Sequence, residues 1–132
     1  VYIAKIEKNN TFKYKGKRWR EGFLSAKTRE FGKYCIIADT LPPNISNIKI
    51  DKNENMYGGI GSISVKITDR ESGIAYYRGE IDGLWILMEY EYKKDLLKYH
   101  IPSNFKKGNH TITIVVKDRL NNKTKIEREF TY

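Results

Sequence analysis

The segment that decides the fold is Ser62-Ile63-Ser64-Val65-Lys66-Ile67-Thr68. Its aliphatic residues alternate with polar ones, and successive side chains of a strand point to opposite sides, so Ile63, Val65 and Ile67 share one face. One apolar face and one polar face are typical of an antiparallel sheet that covers a core on one side only. We therefore predict a half-buried strand over residues 62–68.

Two segments near the C-terminus, residues 111–116 and 125–132, repeat this alternation. The side chains that we expect to face the core are Ile112, Ile114, Val116, Ile126, Phe130 and Tyr132. These segments predict two further strands of the same kind.

Turn residues separate the apolar runs. Asp82-Gly83 lies between residues 74–81 and 84–90, and both residue types tolerate the positive φ that a two-residue hairpin requires. Asn121 can take the left-handed conformation in the connection between the last two strands. The best helical candidate, residues 93–99, is short and uncapped. The sequence thus predicts an all-β protein, with six or seven short strands in its larger part.

Two adjacent prolines divide the chain at Asp39-Thr40-Leu41-Pro42-Pro43, because proline cannot donate a ladder hydrogen bond and restricts the residue before it. We expect residues 40–132 to form a β-sandwich. Residues 1–39 form a small N-terminal β segment, either the end of a preceding β module or extra strands, since they are too few for a separate core. Its expected strands are residues 1–7, 11–14, 22–26 and 33–38.

Several motifs resemble those of bacterial immunoglobulin-like modules. Residues 39–45, Asp-Thr-Leu-Pro-Pro-Asn-Ile, resemble the opening segment of such modules, and residues 69–74, Asp-Arg-Glu-Ser-Gly-Ile, resemble one of their turns. Residues 118–122 resemble the closing turn, with Asn121 where glycine is usual. The resemblance implies an immunoglobulin-like or fibronectin-III-like antiparallel sandwich over residues 40–132.

The whole chain, including residues 22–34, also resembles the C-terminal region of secreted Gram-negative proteins. In that family a lysostaphin-like peptidoglycan metallopeptidase domain, which binds zinc through His-x-x-x-Asp and His-x-His pairs, precedes β modules. Neither pair occurs around His100 or His110. The resemblance therefore implies a catalytic domain that lies upstream and is absent here. We expect the chain to begin inside a longer bacterial protein that is periplasmic, secreted or at the cell surface.

The residues give no pattern of an active site. The two histidines and Cys35 are not spaced as zinc ligands, and Cys35 lies in an apolar run where we expect a small buried hydrophobe. Glu89 and Glu91 share one face of a strand, which is typical of a solvated face. We predict that the chain is not an enzyme and needs no cofactor.

Calcium is the alternative with the most support among metals. Asp69 and Glu71 resemble the Asp-Arg-Glu string of calcium-binding cadherin repeats, and Asp118 could join them at one end of the sandwich. Calcium takes six to eight oxygens from several loops, and the paired aspartate strings of such sites are missing. We favour a turn-capping role for Asp69 and predict no metal, with these three residues as the calcium candidates.

The formal net charge of +9 is concentrated near the N-terminus, where residues 1–40 hold ten Lys/Arg against four Asp/Glu. Residues 12–20 interleave cations with aromatics, a pattern that suits contact with an anionic polymer. The candidate residues are Lys17, Arg18, Trp19 and Arg20. The interpretation that we prefer is a basic hairpin with its aromatics packed underneath.

Exposed aromatics could instead contact glycan or protein, and the candidates are Trp19, Tyr77 and Trp85. We expect Trp85 to be buried, because large aromatics usually supply core area.

The function that we expect is a non-catalytic spacer or docking module of a cell-envelope protein, which positions a neighbouring domain. Its partners would be neighbouring domains of the same polypeptide, cell-wall glycan or another envelope protein. The alternatives are a glycan- or protein-binding module and, less favoured, a basic nucleic-acid-binding domain. No apolar run approaches the roughly 20 residues that span a bilayer.

Overall fold

The computed structural model describes residues 1–52 and 61–132. Within these ranges the regular secondary structure consists of β-strands, and all strand pairs are antiparallel. The strands are β1 Tyr2–Ile6, β2 Phe12–Gly16, β3 Arg18–Arg20, β4 Phe23–Ser25, β5 Tyr34–Ile37, β6 Asn44–Asp51, β7 Ser62–Thr68, β8 Ile74–Ile81, β9 Leu84–Ile86, β10 Glu89–Glu91, β11 Leu96–His100, β12 Asn109–Asp118 and β13 Lys123–Thr131. The predicted all-β class is confirmed.

Eight of these strands form two four-stranded sheets, with the orders β10-β11-β7-β6 and β13-β12-β8-β9. Their inner faces share one apolar core, so the two sheets make a β-sandwich. The buried members of this core are Ile63, Val65, Ile67, Ile81, Met88, Leu97, Ile101, Ile112, Ile114, Val116 and Phe130.

The alternation predicted from the sequence is present in the core. The three aliphatics of β7 are fully buried. In β12, Ile112, Ile114 and Val116 are at most 1% exposed. In the last predicted segment Phe130 is buried, while Ile126 and Tyr132 are partly buried against the same core. The predicted hairpin turn is also confirmed, because Asp82 has φ 52° and Gly83 has φ 78°.

One sequence-based assignment was wrong in detail. Residues 84–90 are not one strand, because β9 pairs with β8 in one sheet and β10 pairs with β11 in the other. Met88 is buried where the chain crosses between the layers. The helical candidate at residues 93–99 forms a turn and the first part of β11.

The N-terminal residues form a three-stranded sheet of order β2-β1-β5 and a separate β3-β4 hairpin. The central strand β1 buries Tyr2 and Ala4. Within the described ranges, no strand of this part pairs with a strand of the sandwich. The two parts therefore meet through loops and side chains.

We expect Ile114→Ala to lower the free energy of unfolding by about 2 to 5 kcal/mol, because it opens a cavity between the two sheets. The matched control is Ile36→Ala on the exposed face of β5, which should cost less than about 1 kcal/mol. Urea denaturation measures both. Equal effects of the two substitutions would contradict the assignment of the core.

Candidate functional site

Three loops meet at one end of the sandwich and contact the N-terminal sheet. They are the linker after β5, residues 38–43; the β7–β8 turn, residues 69–73; and the β12–β13 turn, residues 118–122. Hydrogen bonds connect the linker with both turns. We call these three loops the junction.

Each of the two turns is held by the aspartate with which it begins. The Oδ1 atom of Asp69 accepts hydrogen bonds from the backbone N–H of Glu71 at 3.2 Å and of Gly73 at 2.6 Å. Asp118 Oδ1 accepts from two backbone N–H groups of its own turn, at 2.7 and 2.9 Å. The predicted turn-capping role of Asp69 is thereby confirmed.

Asp39 connects the linker to both turns. Its Oδ1 accepts from the backbone N–H of Leu41 at 3.2 Å, and its Oδ2 accepts from the backbone N–H of Ser72 at 3.1 Å. Its carbonyl oxygen accepts from Asn122 Nδ2 at 3.2 Å. Asp39 is buried, so removing its side chain would leave buried N–H groups without an acceptor.

Two side chains fix the N-terminal sheet to the junction. Tyr2 is fully buried, and its hydroxyl donates to the carbonyl oxygen of Glu71 at 2.8 Å. Burial, and then the nearby carboxylates, raise the pKa of Tyr2 to about 12. Arg119 donates from Nη1 to the carbonyl oxygen of Ser72 at 2.7 Å, and its guanidinium lies 4.9 Å from the centre of the Tyr14 ring.

The carboxylates of Asp39, Asp69 and Asp118 gather at the centre of the junction, and each offers an oxygen within 4.8 Å of the other two. Asp39 and Asp118 are buried, and Asp69 is half-buried. Two unit charges at about 5 Å repel by roughly 3 kcal/mol at an effective dielectric constant of 20. Such a group needs a compensating charge or a proton.

The local pKa values reflect this crowding. Burial, and then the charges of Asp39 and Asp118, raise the pKa of Asp69. Glu71 shares a hydrogen bond with Asp39, and this bond raises the pKa of Glu71. Burial acts to raise the pKa of Asp39, but the nearby Ser72 hydroxyl, the Glu71 carboxyl and the backbone N–H groups of Leu41 and Ser72 outweigh it and lower that pKa. Of this pair, Glu71 therefore takes up a proton before Asp39 does as the pH falls.

The structure gathers two of the three calcium candidates, Asp69 and Asp118. The third member of the group is Asp39, to which sequence reasoning had given no role as a ligand. Glu71 lies outside the group, although its carboxyl bonds to Asp39. The aspartate of the Asp-Thr-x-Pro-Pro motif was the signal that could have identified Asp39.

The histidines and the cysteine do not meet. In the described part of the chain they belong to no group of three potential metal ligands. Cys35 is half-buried, not fully buried as expected. His110 is hydrogen-bonded on both ring nitrogens: its Nδ1 lies 2.6 Å from Asp82 Oδ2, and its Nε2 lies 2.7 Å from the carbonyl oxygen of Lys106.

Trp85 is 58% exposed, so the prediction that it is buried was wrong. It lies on the edge strand β9 opposite Glu80, whereas its neighbour Ile86 packs against the core. Side chains alternate along a strand, and burial of Ile86 therefore turns Trp85 outwards. Tyr77 is half-buried, with its ring centre 5.6 Å from that of Tyr90.

Residues 12–20 do not form the single basic hairpin that was expected, because β2 pairs with β1 and β3 pairs with β4. The basic hairpin in the structure is β3-β4, and it exposes its indole ring. Trp19 is 60% exposed between the exposed Arg18 and Arg20, and Lys17 is half-buried. Of the aromatics expected to pack underneath, Tyr14 does so, with its ring centre 5.1 Å from that of Tyr2. The binding candidates Trp19, Tyr77 and Trp85 thus lie on three separate elements.

Comparison with protein-family models, with curated proteins and with solved structures gives no match to this chain. Across the described residues, no helix has the length and apolar character needed to cross a membrane.

We expect Tyr2→Phe to lower the free energy of unfolding by about 1 kcal/mol, because it removes the hydrogen bond to Glu71 and leaves a carbonyl without this donor. Tyr14→Phe is the control, since it retains the ring beneath Arg119. Urea denaturation compares the two. A smaller effect at Tyr2 than at Tyr14 would contradict the contact.

The stabilising effect of His110 should depend on pH. Hydrogen bonds to Asp82 and to the Lys106 carbonyl raise the pKa of His110 above its ordinary value of 6.5. Its contribution is therefore full below that value and is lost as pH rises through the folded-state pKa. His110→Gln should destabilise the chain more at about pH 5.5 than at about pH 8.5, where Asp82 stays ionised at both.

Thermal unfolding at the two pH values measures this difference. The control is His100→Gln at the exposed end of β11, which removes the other histidine and keeps the contacts of His110. An effect of His110→Gln that is larger at the higher pH would refute the assignment.

Proposed function

We propose that this chain is a non-catalytic spacer or docking module of a bacterial cell-envelope protein, and that it holds a neighbouring domain in a fixed direction. The observation that carries the proposal is the position of Asp39. Its buried carboxylate and carbonyl bond at once to the linker, to the β7–β8 turn and to Asn122 of the β12–β13 turn. A linker held in this way transmits orientation from one part of the chain to the other.

Strand order supports an immunoglobulin-like assignment of the sandwich. Labelled A, B, C, C′, D, E, F and G in chain order, β6 to β13 form the sheets D-E-B-A and G-F-C-C′. Immunoglobulin-type sandwiches pair A, B, E and D in one sheet and C, F and G in the other. Modules of this kind serve as spacers in many extracellular proteins, and here that step is an analogy of fold.

The distribution of apolar residues agrees with a positioning role. Aliphatic side chains fill the space between the two sheets, so partners are contacted at loops, edges and outer faces. Tyr2 and Arg119 fasten the N-terminal sheet to the sandwich by a hydrogen bond and a cation–π contact. In this mechanism the two parts move as one body, and a domain attached to the first follows the direction of the second.

The proposal predicts a narrow distribution of distances between the two parts. Spin labels at Lys27→Cys and Lys107→Cys, both exposed positions, report that distance in a Cys35→Ser background by double electron–electron resonance. Arg119→Ala should broaden the distribution, because it removes the bond to Ser72 and the contact with Tyr14. Arg128→Ala, at an exposed position of β13, is the matched control.

A broad distribution in the chain without the Arg119 substitution would contradict a spacer role. Release of soluble fragments from peptidoglycan by the purified chain would contradict the non-catalytic part of the proposal.

A binding module is the second candidate, and the observation that favours it is the apolar surface of the edge strand β9 and the crossover after it. Leu84, Trp85 and Leu87 are each more than half exposed there. Large apolar side chains exposed at neighbouring positions of an edge are typical of contact surfaces for protein or glycan. This surface suits the cell-wall glycan or envelope-protein partners expected from the sequence.

Sedimentation with insoluble peptidoglycan tests this candidate. Trp85→Ala should weaken binding by about tenfold, as expected for an aromatic anchor, whereas Trp19→Ala should leave it unchanged. The opposite pattern, together with single-stranded DNA binding that falls steeply with salt, would favour the basic hairpin and a nucleic-acid partner.

A further inference from the structure

The centre of the junction has the composition of a cation site. We propose that Asp39, Asp69 and Asp118 together bind one divalent, oxygen-seeking cation, for which calcium is the best match, and that the ion fastens the linker to both turns. This site is distinct from the surfaces considered above, and it does not require that the chain act as a spacer.

The spacing of the three carboxylates fits a single ion. Each offers an oxygen within 4.8 Å of the other two. Calcium lies about 2.3 to 2.6 Å from its oxygen ligands, so two ligands of one ion can be at most about 5 Å apart. The three carboxylates come from three different loops. Calcium sites need ligands from several loops, and the sequence alone did not show that these loops meet.

A second, independent feature is the hydroxyl of Ser72. This side chain is 1% exposed, and its Oγ has no hydrogen-bond partner within residues 1–52 and 61–132. The backbone N–H of Ser72 donates to Asp39 Oδ2. The Ser72 hydroxyl lies beside the same carboxylate, but the geometry between them is not that of a hydrogen bond. Buried polar atoms are nearly always satisfied, and a cation beside Asp39 would give this oxygen a partner.

The charge around the group also calls for a cation. Among the described side chains, no Lys or Arg nitrogen lies within 4.0 Å of these three carboxylates. The hydrogen bonds that these carboxylates accept come from neutral groups: N–H groups such as those of Gly73 and Asn122, and the carboxyl of Glu71. Arg119 turns instead to the carbonyl oxygen of Ser72.

The donor atoms indicate which metal would bind. Carboxylate and hydroxyl oxygens suit magnesium, calcium and manganese, whereas zinc and copper favour nitrogen or sulfur ligands. Magnesium demands near-ideal octahedral geometry and keeps several waters, while calcium accepts irregular arrangements of six to eight oxygens. Three carboxylates already held by their own turns cannot rearrange freely, which favours calcium. The half-buried side of Asp69 leaves access for water to complete the coordination.

The test uses the full chain after treatment with a chelator. Titration calorimetry with calcium chloride should show one binding site. The midpoint temperature of thermal unfolding should rise by several degrees when calcium is present. Magnesium should have a smaller effect. Asp69→Asn should abolish both responses, because the amide oxygen can still cap the turn while the charge is lost. The control Glu89→Gln removes the same charge from an exposed position of β10 and should retain both responses.

The variant Ser72→Ala tests whether the Ser72 hydroxyl binds the ion or has only a structural role. Its hydroxyl bonds to no described group, so the variant should keep the stability of the calcium-free chain. It should weaken calcium binding by about tenfold. The proposal is overturned if calcium changes neither the calorimetric signal nor the unfolding midpoint of the unmodified chain, or if Asp69→Asn binds calcium as tightly as Glu89→Gln does. A narrow distance distribution between the spin labels in the presence of chelator would support the spacer role, whether or not the chain binds calcium.

Discussion

The burial of aspartate carboxylates at the ends of strands is the constraint that determines how the parts of this chain meet. A buried carboxylate is costly unless hydrogen bonds replace its hydration. Here the bonds come from backbone N–H groups of tight turns, as between Asp69 and Gly73. Each turn must therefore keep its conformation for its aspartate to remain buried. Asp39 extends this dependence across the linker, because the N–H that it needs belongs to Ser72.

Stability and orientation come from different regions of the molecule. The aliphatic core lies between the two sheets, and its burial is insensitive to how the N-terminal sheet is placed. The junction is held by directional hydrogen bonds, for example from the backbone N–H of Ser72 to Asp39 Oδ2. The strand β12 joins the junction to the opposite end, where His110 bonds to Asp82. Its ten residues span about 30 Å, so the charges at its two ends act independently.

Much of the sandwich could be predicted from the sequence, because its signals are local. The alternation in β7 and the Asp82-Gly83 turn each depend on a few consecutive residues. The exposure of Trp85 could not be predicted, since a single sequence does not tell an edge strand from a central one. Asp39 was missed as a site residue for a similar reason: its partners Ser72 and Asn122 lie 33 and 83 positions away.

The surroundings of Glu30, an exposed carboxylate in the same chain, differ from those of the three aspartates at the junction. Glu30 pairs with Lys5, Lys13 and Lys15, and hydrogen bonds from two of these lysines lower its pKa to about 2. An exposed carboxylate, which needs neutralisation least, thus has three cations beside it. The three aspartates of the junction have oxygens within 4.8 Å of one another, and they are more deeply buried than Glu30. They lie in a chain with a formal net charge of +9.

A lysine or arginine paired directly with the three aspartates would offset their charge permanently, and its long side chain would have to be ordered in a crowded space. A bound metal ion brings two charges without a side chain, and it can hold oxygens from three loops at once. It also makes the strength of the junction depend on ion concentration, through the free energy of binding to the folded state. The linker bonds made by Asp39 set the geometry, and a cation would set how firmly that geometry is held.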